Sequence, residues 1–423
     1  MKRRELLAAA MLPLVKPHEA GASQAAVCDI KATPAGDINL IGNSFPALAH
    51  IASAVESCAR PGLKVAFKLT PLARNETEQT FGSSGRCPFD AAMVSMGVFS
   101  NLYSRRQLWP LTALVDKFGA RWKLEERMLV RVQGEVMAIA FMQNTQNLYF
   151  RQDLFDRHGL AVPNTYPEML AVATQLKARE PSLQFAVAQG FGKGFDIATE
   201  FTNIFASCGG RFFKPGTALP LFNGAAGLEA VATMKALLPH MTPNALASNS
   251  DDVMNQLQQG KAAMGVLWAS RASRMDDPLA SKVVGKMAFA AAPSVRPAGI
   301  SAAHLWWDGA VMPKNGDPAK REAAFELLMQ GLCEDTVRAG NDLAIWVRSA
   351  YRPGRFGTGV AVAQRAGAPI WPGEPFFSLA HGEIGKLLPD ALVGNNSAQA
   401  VLDFAAAAYT RAATEKGFIR SSA

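Results

Sequence analysis

From Asp37 onward, short apolar runs of strand length alternate with longer runs of helical period, and this rhythm limits the fold more than any other feature. "DINLIG" (37–42) reads as a strand. "PALAHIASAVES" follows, with Pro46 at a helix start and Leu48, Ile51, Ala52 and Val55 at helical spacing, and Pro61-Gly62 stops it. "KVAFKL" and "FDAAMVS" are further strands, "VFSNLYSRR" a helix and "VMAIAF" (136–141) another strand. Such a βαβ order predicts an α/β fold with mostly parallel, doubly wound sheets flanked by helices.

A second unit begins near Asn144. "NLYF" is a strand, and "QDLFDRHG" a short helix closed by Gly159. Thr165 and Glu168 in "TYPE" form a capping-box pattern ahead of the helix "MLAVATQLKAR". "LQFAVAQ", "AAMGVLW" and "KMAFAAAPS" read as strands, and "IATEFTNIFASCGG", "GLEAVATMKALL", "DDVMNQLQQ", "PAKREAAFELLMQGL" and "AQAVLDFAAAAYTRAATEKG" as helices.

The first residues read as a secretory signal peptide over 1–22. Lys2, Arg3 and Arg4 precede a short apolar run, Leu6 to Val15, and Ala20-Gly21-Ala22 is a small-x-small cleavage site. That run is too short to span a bilayer. The twin Arg suits the twin-arginine route as well as the general one, and the mature chain is expected in the periplasm. Formal net charge is +8, and removing residues 1–22 takes away four basic and two acidic side chains, leaving +6. The remaining charges alternate in sign with no basic block, which excludes a nucleic-acid surface. None of Cys28, Cys58, Cys87, Cys208 and Cys333 form a C-x-x-C pair. In an exported chain the first three can supply one disulfide, while Cys208 and Cys333 read as small buried apolar residues.

Catalytic and metal signatures are missing. There is no H-E-x-x-H, no G-x-S-x-G and no G-x-x-x-x-G-K-[ST]. "GFGKG" (190–194) reads as a flexible loop, and His50, His240, His304 and His381 stand isolated, where a structural role is the ordinary one. No metal, cofactor or catalytic residue is expected, and the chain reads as a binder, not an enzyme.

Four blocks, in this order, resemble the extracellular solute-binding proteins of ABC importers, the group that includes maltose-binding protein. They are "NTQNLYFRQDLFDRHGLAVPNTYPEML", "FASCGGRFF", "LQQGKAAMGVLW" and "WWDGAVMPKNGDPAKREAAFELLMQGL". The resemblance covers most of residues 37–420 and implies two α/β lobes joined by two or three crossing segments, with a ligand in the cleft between them. Carried onto this chain, the first lobe is 29–143 plus 303–345 and the second 144–302 plus 346–423. The run Met96-Gly97-Val98-Phe99 departs from the Trp or acid that some sugar binders carry after the equivalent strand, which weakens transfer of any particular sugar.

The candidate ligand contacts start from Trp306 and Trp307. Neighbours on a strand point to opposite faces, so one of them faces ligand while the other packs under a helix. Trp268 ends a strand and Trp346 lies near the last crossing; the family places such strand ends in the cleft. Asp308 can accept two hydroxyl hydrogen bonds. Asn43 and Ser44 follow the first strand, where capping the next helix is an equal role. Ser95 and Met96 end the third strand, Gln143, Asn144 and Gln146 lie where the chain crosses, and Arg348 follows Trp346 as a donor or a surface charge. Trp109 and Trp122 read as loop or packing residues, and Trp371 as one able to reach the rim. Indole rings set beside hydroxyl-binding groups suit a sugar or polyol. The expected partners are that ligand and an ABC membrane permease, with the protein a monomer. The alternatives are a phosphorylated or other non-sugar solute, a receptor as the partner, or an exported hydrolase.

Overall fold

The apolar runs become strands because their alternate residues are buried on two faces at once. In the computed structural model, which describes residues 28–31, 36–365 and 367–420, these strands assemble into two sheets. The signal peptide expected over 1–22 lies outside the described residues.

The strands are β1 (Ile38–Gly42), β2 (Val65–Leu69), β3 (Ala91–Ser95), β4 (Leu108–Trp109), β5 (Leu129–Val132), β6 (Glu135–Asn144), β7 (Gln146–Arg151), β8 (Phe185–Ala188), β9 (Ala262–Trp268), β10 (Met287–Ala291), β11 (Trp306–Pro313) and β12 (Ile345–Trp346). The first sheet runs β12-β6-β11-β3-β1-β2, with β4 beside β11 and β5 beside β6; the second runs β10-β7-β9-β8. Along β3, Ala91 and Met93 join one core with the Pro46–Glu56 and Arg321–Gly331 helices, while Ala92 and Val94 join a second core with the Met96–Ser104 helix. This is the pattern of a strand covered by helices on both faces.

The α/β arrangement expected from the sequence is present, but the sheets are mixed and not mostly parallel. β1 runs parallel to β2 and β3, and β8 parallel to β9. The pairings of β11 with β3, β4 and β6, of β12 and β5 with β6, and of β7 with β9 and β10 are antiparallel. The reason is connectivity. β6 carries the chain out of the first sheet and β11 brings it back, so the two lie side by side in opposite directions.

Several local signals appear as read. Thr165 and Glu168 make a reciprocal capping box on the Tyr166–Arg179 helix, and Gly159 closes Gln152–His158 in the left-handed region at φ 60°. The helices Ala73–Phe81 and Phe377–Leu392 were not legible. The first is mostly polar, and the second carries Pro389 in its last turn. The large core around the second sheet gathers Phe201, Phe205, Phe212, Phe222 and Tyr409, and the Phe377–Leu392 and Ala398–Glu415 helices pack into it. Val347 and Ala350 remain in the first core, and the chain rejoins the second sheet through the Thr358–Arg365 helix, which packs on β10 and β7.

Cys28 and Cys58 form the disulfide, pinning the start of the described chain to the end of the Pro46–Glu56 helix. Cys87 is a buried free thiol whose pKa is raised by burial. Cys208 is buried as expected, whereas Cys333 is partly exposed.

Candidate functional site

The two halves meet where β3 and β6 end and β11 begins, beside the start of β7 and the end of β9. Met96 opens the Met96–Ser104 helix of the first half, yet it packs into the core of the second. A side chain at Gly97 would place its Cβ 3.8 Å from the Trp306 ring. Ser378 Oγ, from the second half, donates to Asn101 Oδ1 at 3.4 Å, and the Arg74 guanidinium lies 6.0 Å above the Phe195 ring.

Trp306 and Trp307 diverge as strand alternation requires. Trp307 turns to the Met96–Ser104 helix, its ring 5.1 Å from that of Phe99 in an edge-on contact. Its indole lies over Gly309, where a Cβ would come within 2.8 Å, so only glycine leaves room. Trp306 turns to the second half. Its ring lies 4.1 Å from Trp371 and 5.4 Å from Trp268, and 8% of its surface remains exposed. Its indole Nε1–H is buried and has no partner among the described residues. Trp268 keeps partial exposure and donates through Nε1 to Ser250 Oγ at 3.2 Å. Ser250 Oγ in turn donates to Asp196 Oδ1 at 2.8 Å.

Asp308 pairs with Ser95 across β11 and β3, so the two side chains stand together on one face. β6 bulges beside Asp308, a distortion common next to binding sites. The Asp308 carboxyl and the Ser95 hydroxyl have no hydrogen-bond partner among the described residues. Burial, with no charged neighbour to offset it, pushes the Asp308 carboxyl up to about 7 although part of the residue stays exposed. Asn43 and Ser44 stand exposed at the same edge. Phe45, not either of them, occupies the cap position of the next helix, and Asn43 Oδ1 accepts from the Ser44 amide at 2.8 Å.

The crossing residues divide by role. Gln143 is partly exposed and accepts from Gln364 Nε2 at 2.7 Å. Asn144 is committed to Ser270, donating to its Oγ at 3.1 Å and accepting from its amide at 3.2 Å. Gln146 is buried in a polar network that the sequence did not reveal. Gln146 Nε2 donates to Glu200 Oε1 at 2.7 Å, and Gln189 Nε2 to Glu200 Oε2 at 2.5 Å. Asn203 Nδ2 donates to Gln146 Oε1 at 2.7 Å, and His304 Nδ1 meets Asn203 Oδ1 at 2.7 Å. Burial outweighs these hydrogen bonds and pushes Glu200 up to about 8, and it drives the His304 ring down to about 3, leaving it neutral. The His304 ring meets Trp371 edge-on at 5.3 Å, so the network braces the indole pair from below. Its only sequence trace is Glu200 and Asn203 standing, with Thr199 and Thr202, within a fully buried stretch of helix.

Two of the expected contacts are placed away from this seam. Trp346 is buried in the first core and donates through Nε1 to Gly340 O at 2.8 Å. Arg348 is buried too, with its guanidinium holding Trp122 O at 3.0 Å and Lys123 O at 3.2 Å. Trp346 points inward because β12 is an edge strand laid over the core, Arg348 follows two residues later, and the polar atoms of both close loop carbonyls. Trp371, read as able to reach the rim, is buried against Trp306. Among the described residues no cluster of three or more His, Cys, Asp or Glu is placed to hold a metal ion. No described helix is long and apolar enough to cross a membrane.

The chain superposes on solved binding proteins over nearly its whole length. An ABC transporter solute-binding protein from Agrobacterium radiobacter K84, in complex with ribitol, matches with a TM-score of 0.77 at 19% identity, covering 90% of this chain and 100% of that one. Maltose-bound MalE3 of T. maritima matches with 0.77 at 18% identity, covering 89% and 100%. The solute-binding protein of Agrobacterium vitis S4 with bound D-mannitol matches with 0.75 at 18% identity, covering 90% and 99%. These likenesses establish the two-lobe fold. Residues 60–328 match the model of the bacterial extracellular solute-binding proteins, and that span is more than half of the chain: the protein belongs to this family.

Proposed function

We propose that this protein is the ligand-capturing component of an ABC importer, binding a sugar or polyol between its lobes and delivering it unchanged to a membrane permease. The observation that carries this reading is the pairing, at the seam of the two halves, of an indole wall with polar groups that lack partners. Trp306 and Trp268 offer apolar rings, while Ser95 Oγ, the Asp308 carboxyl and Trp306 Nε1 await hydrogen bonds. A sugar presents apolar C–H faces and hydroxyl edges that satisfy both. The structural relatives holding ribitol, maltose and D-mannitol support the same ligand class. Asn43, Ser44 and Met96 flank this edge and complete the proposed contact set, while Gln143 stands on the Trp307 face of the sheet.

The lobes touch across the seam, so ligand entry requires an opening about the crossings near residues 144, 303 and 352. Ligand binds the closed form better and shifts the population toward it; the permease then reads the closed shape. The protein acts in the periplasm as a monomer after export, consistent with the extracellular family and the leader-like first 22 residues.

Thermal unfolding of the mature chain against a panel of sugars, polyols and their phosphates tests this. A solute at 100 times its Kd adds about 2.7 kcal/mol of stability. If no member of the panel raises the melting temperature, or if a solute is recovered chemically altered, the reading fails.

A further inference from the structure

Asp308 is a carboxylate without a counter-charge. Its side chain shares a face with Ser95 and accepts no hydrogen bond from any described residue, and no Lys, Arg or His bears on it. Burial on most sides disfavours the ionised form of such a carboxyl unless a donor or a positive charge arrives to pair with it. Other acids near the seam are committed: Asp196 to Ser250 and Glu200 to two glutamine amides. The nearby cations are committed as well, Arg271 to Asp251 and Arg74 lying over Phe195.

Two residues earlier on the same face, roughly 7 Å away along the strand, stands Trp306 with an unpartnered Nε1–H. Trp268 presents its ring against Trp306, and indole faces attract cations. The donors missing at Asp308 and the acceptor missing at Trp306 define a ligand with a positive end and a hydroxyl end.

We propose that the natural ligand is an aminated carbohydrate, an amino sugar or amino polyol, whose protonated amine pairs with Asp308 and Ser95 while a hydroxyl oxygen accepts from Trp306 Nε1. This rests on the interlobe binding reading above and narrows its ligand class. A neutral hydroxyl also donates to a carboxylate, but a charged donor returns about twice as much and removes the uncompensated charge.

The test compares D-glucosamine with D-glucose, and D-glucamine with D-sorbitol, by calorimetric titration and thermal unfolding of the mature protein and of Asp308→Asn. The expected result is at least tenfold tighter binding of the amine in one or both pairs, with that preference abolished in Asp308→Asn. Because Asp308→Asn removes a buried charge, its unliganded form is expected to melt at least as high as the wild type, which separates lost recognition from lost folding. Equal binding of amine and neutral partner, tighter binding of the neutral partner, or an amine preference that survives in Asp308→Asn overturns the amine proposal alone. If neither these compounds nor the wider neutral panel bind, the interlobe reading falls and takes this proposal with it.

Discussion

Trp306 and Trp371 meet ring to ring, their centroids 4.1 Å apart and their planes 32° from parallel, so a residue of the returning strand is held by a residue of the C-terminal region. His304 and Phe377 close on Trp371 edge-on at 5.3 and 5.2 Å. The wall proposed to face ligand is thus backed by the core of the second half.

Trp371→Ala removes that backing. It is expected to cost about 3–5 kcal/mol of stability, as for other buried aromatic truncations, and to weaken ligand binding because Trp306 loses its fixed orientation. Urea denaturation gives the first quantity and ligand titration the second. Unchanged affinity in a folded variant would show that Trp306 needs no such support.

Trp346→Phe and Arg348→Met test the two residues that turn inward. Each strands a buried carbonyl, of Gly340 in one case and of Trp122 in the other, at about 1–3 kcal/mol per lost partner, and Arg348→Met also frees the more exposed Lys123 carbonyl. Stability is expected to fall while ligand affinity stays within twofold. A tenfold loss of affinity in either folded variant would return that residue to the binding site.

Glu200 couples stability to pH. Burial holds its carboxyl up at about 8, whereas an unfolded chain releases that proton near pH 4.3. The folded form therefore binds a proton that the unfolded form gives up. The contribution is fully present below about pH 4 and is lost as pH rises through 8. Urea midpoints at pH 5 and pH 8.5 are expected to differ less in Glu200→Gln than in the wild type. Equal differences in the two proteins would mean that Glu200 does not carry this linkage.

The Cys28–Cys58 bridge closes a loop of sequence separation 30. Restricting the unfolded chain by such a loop contributes about 3–4 kcal/mol. Cys58→Ser, or reduction of the wild type, is expected to lower the melting temperature by several degrees. Ligand affinity is expected to hold, since the bridge sits at the far end of the Pro46–Glu56 helix. No change in melting on reduction would show that the bridge does not form in the exported protein.

The amino-acid sequence by itself determined the parts whose causes lie within a few residues of one another. The strand and helix periods, the Thr165–Glu168 capping box, the left-handed Gly159 and the opposite facing of Trp306 and Trp307 are all of this kind. The ordered blocks that resemble solute-binding proteins were legible for the same reason. Tertiary structure alone decided what depends on distant segments meeting. Strand direction followed from where β6 leaves and β11 returns, and the disulfide choice among three cysteines from which two came within bonding reach. Trp346 and Arg348 look like cleft residues in one dimension, but Trp346 on the edge strand fills the first core and Arg348, two residues beyond it, is buried against the carbonyls of Trp122 and Lys123. Glu200 and Asn203 sit on a helix buried on all sides, and only the arrival of Gln146, Gln189 and His304 satisfies them. Periodicity records which face of an element is buried. It does not record what buries it, because that partner is chosen by packing and hydrogen bonding across the fold.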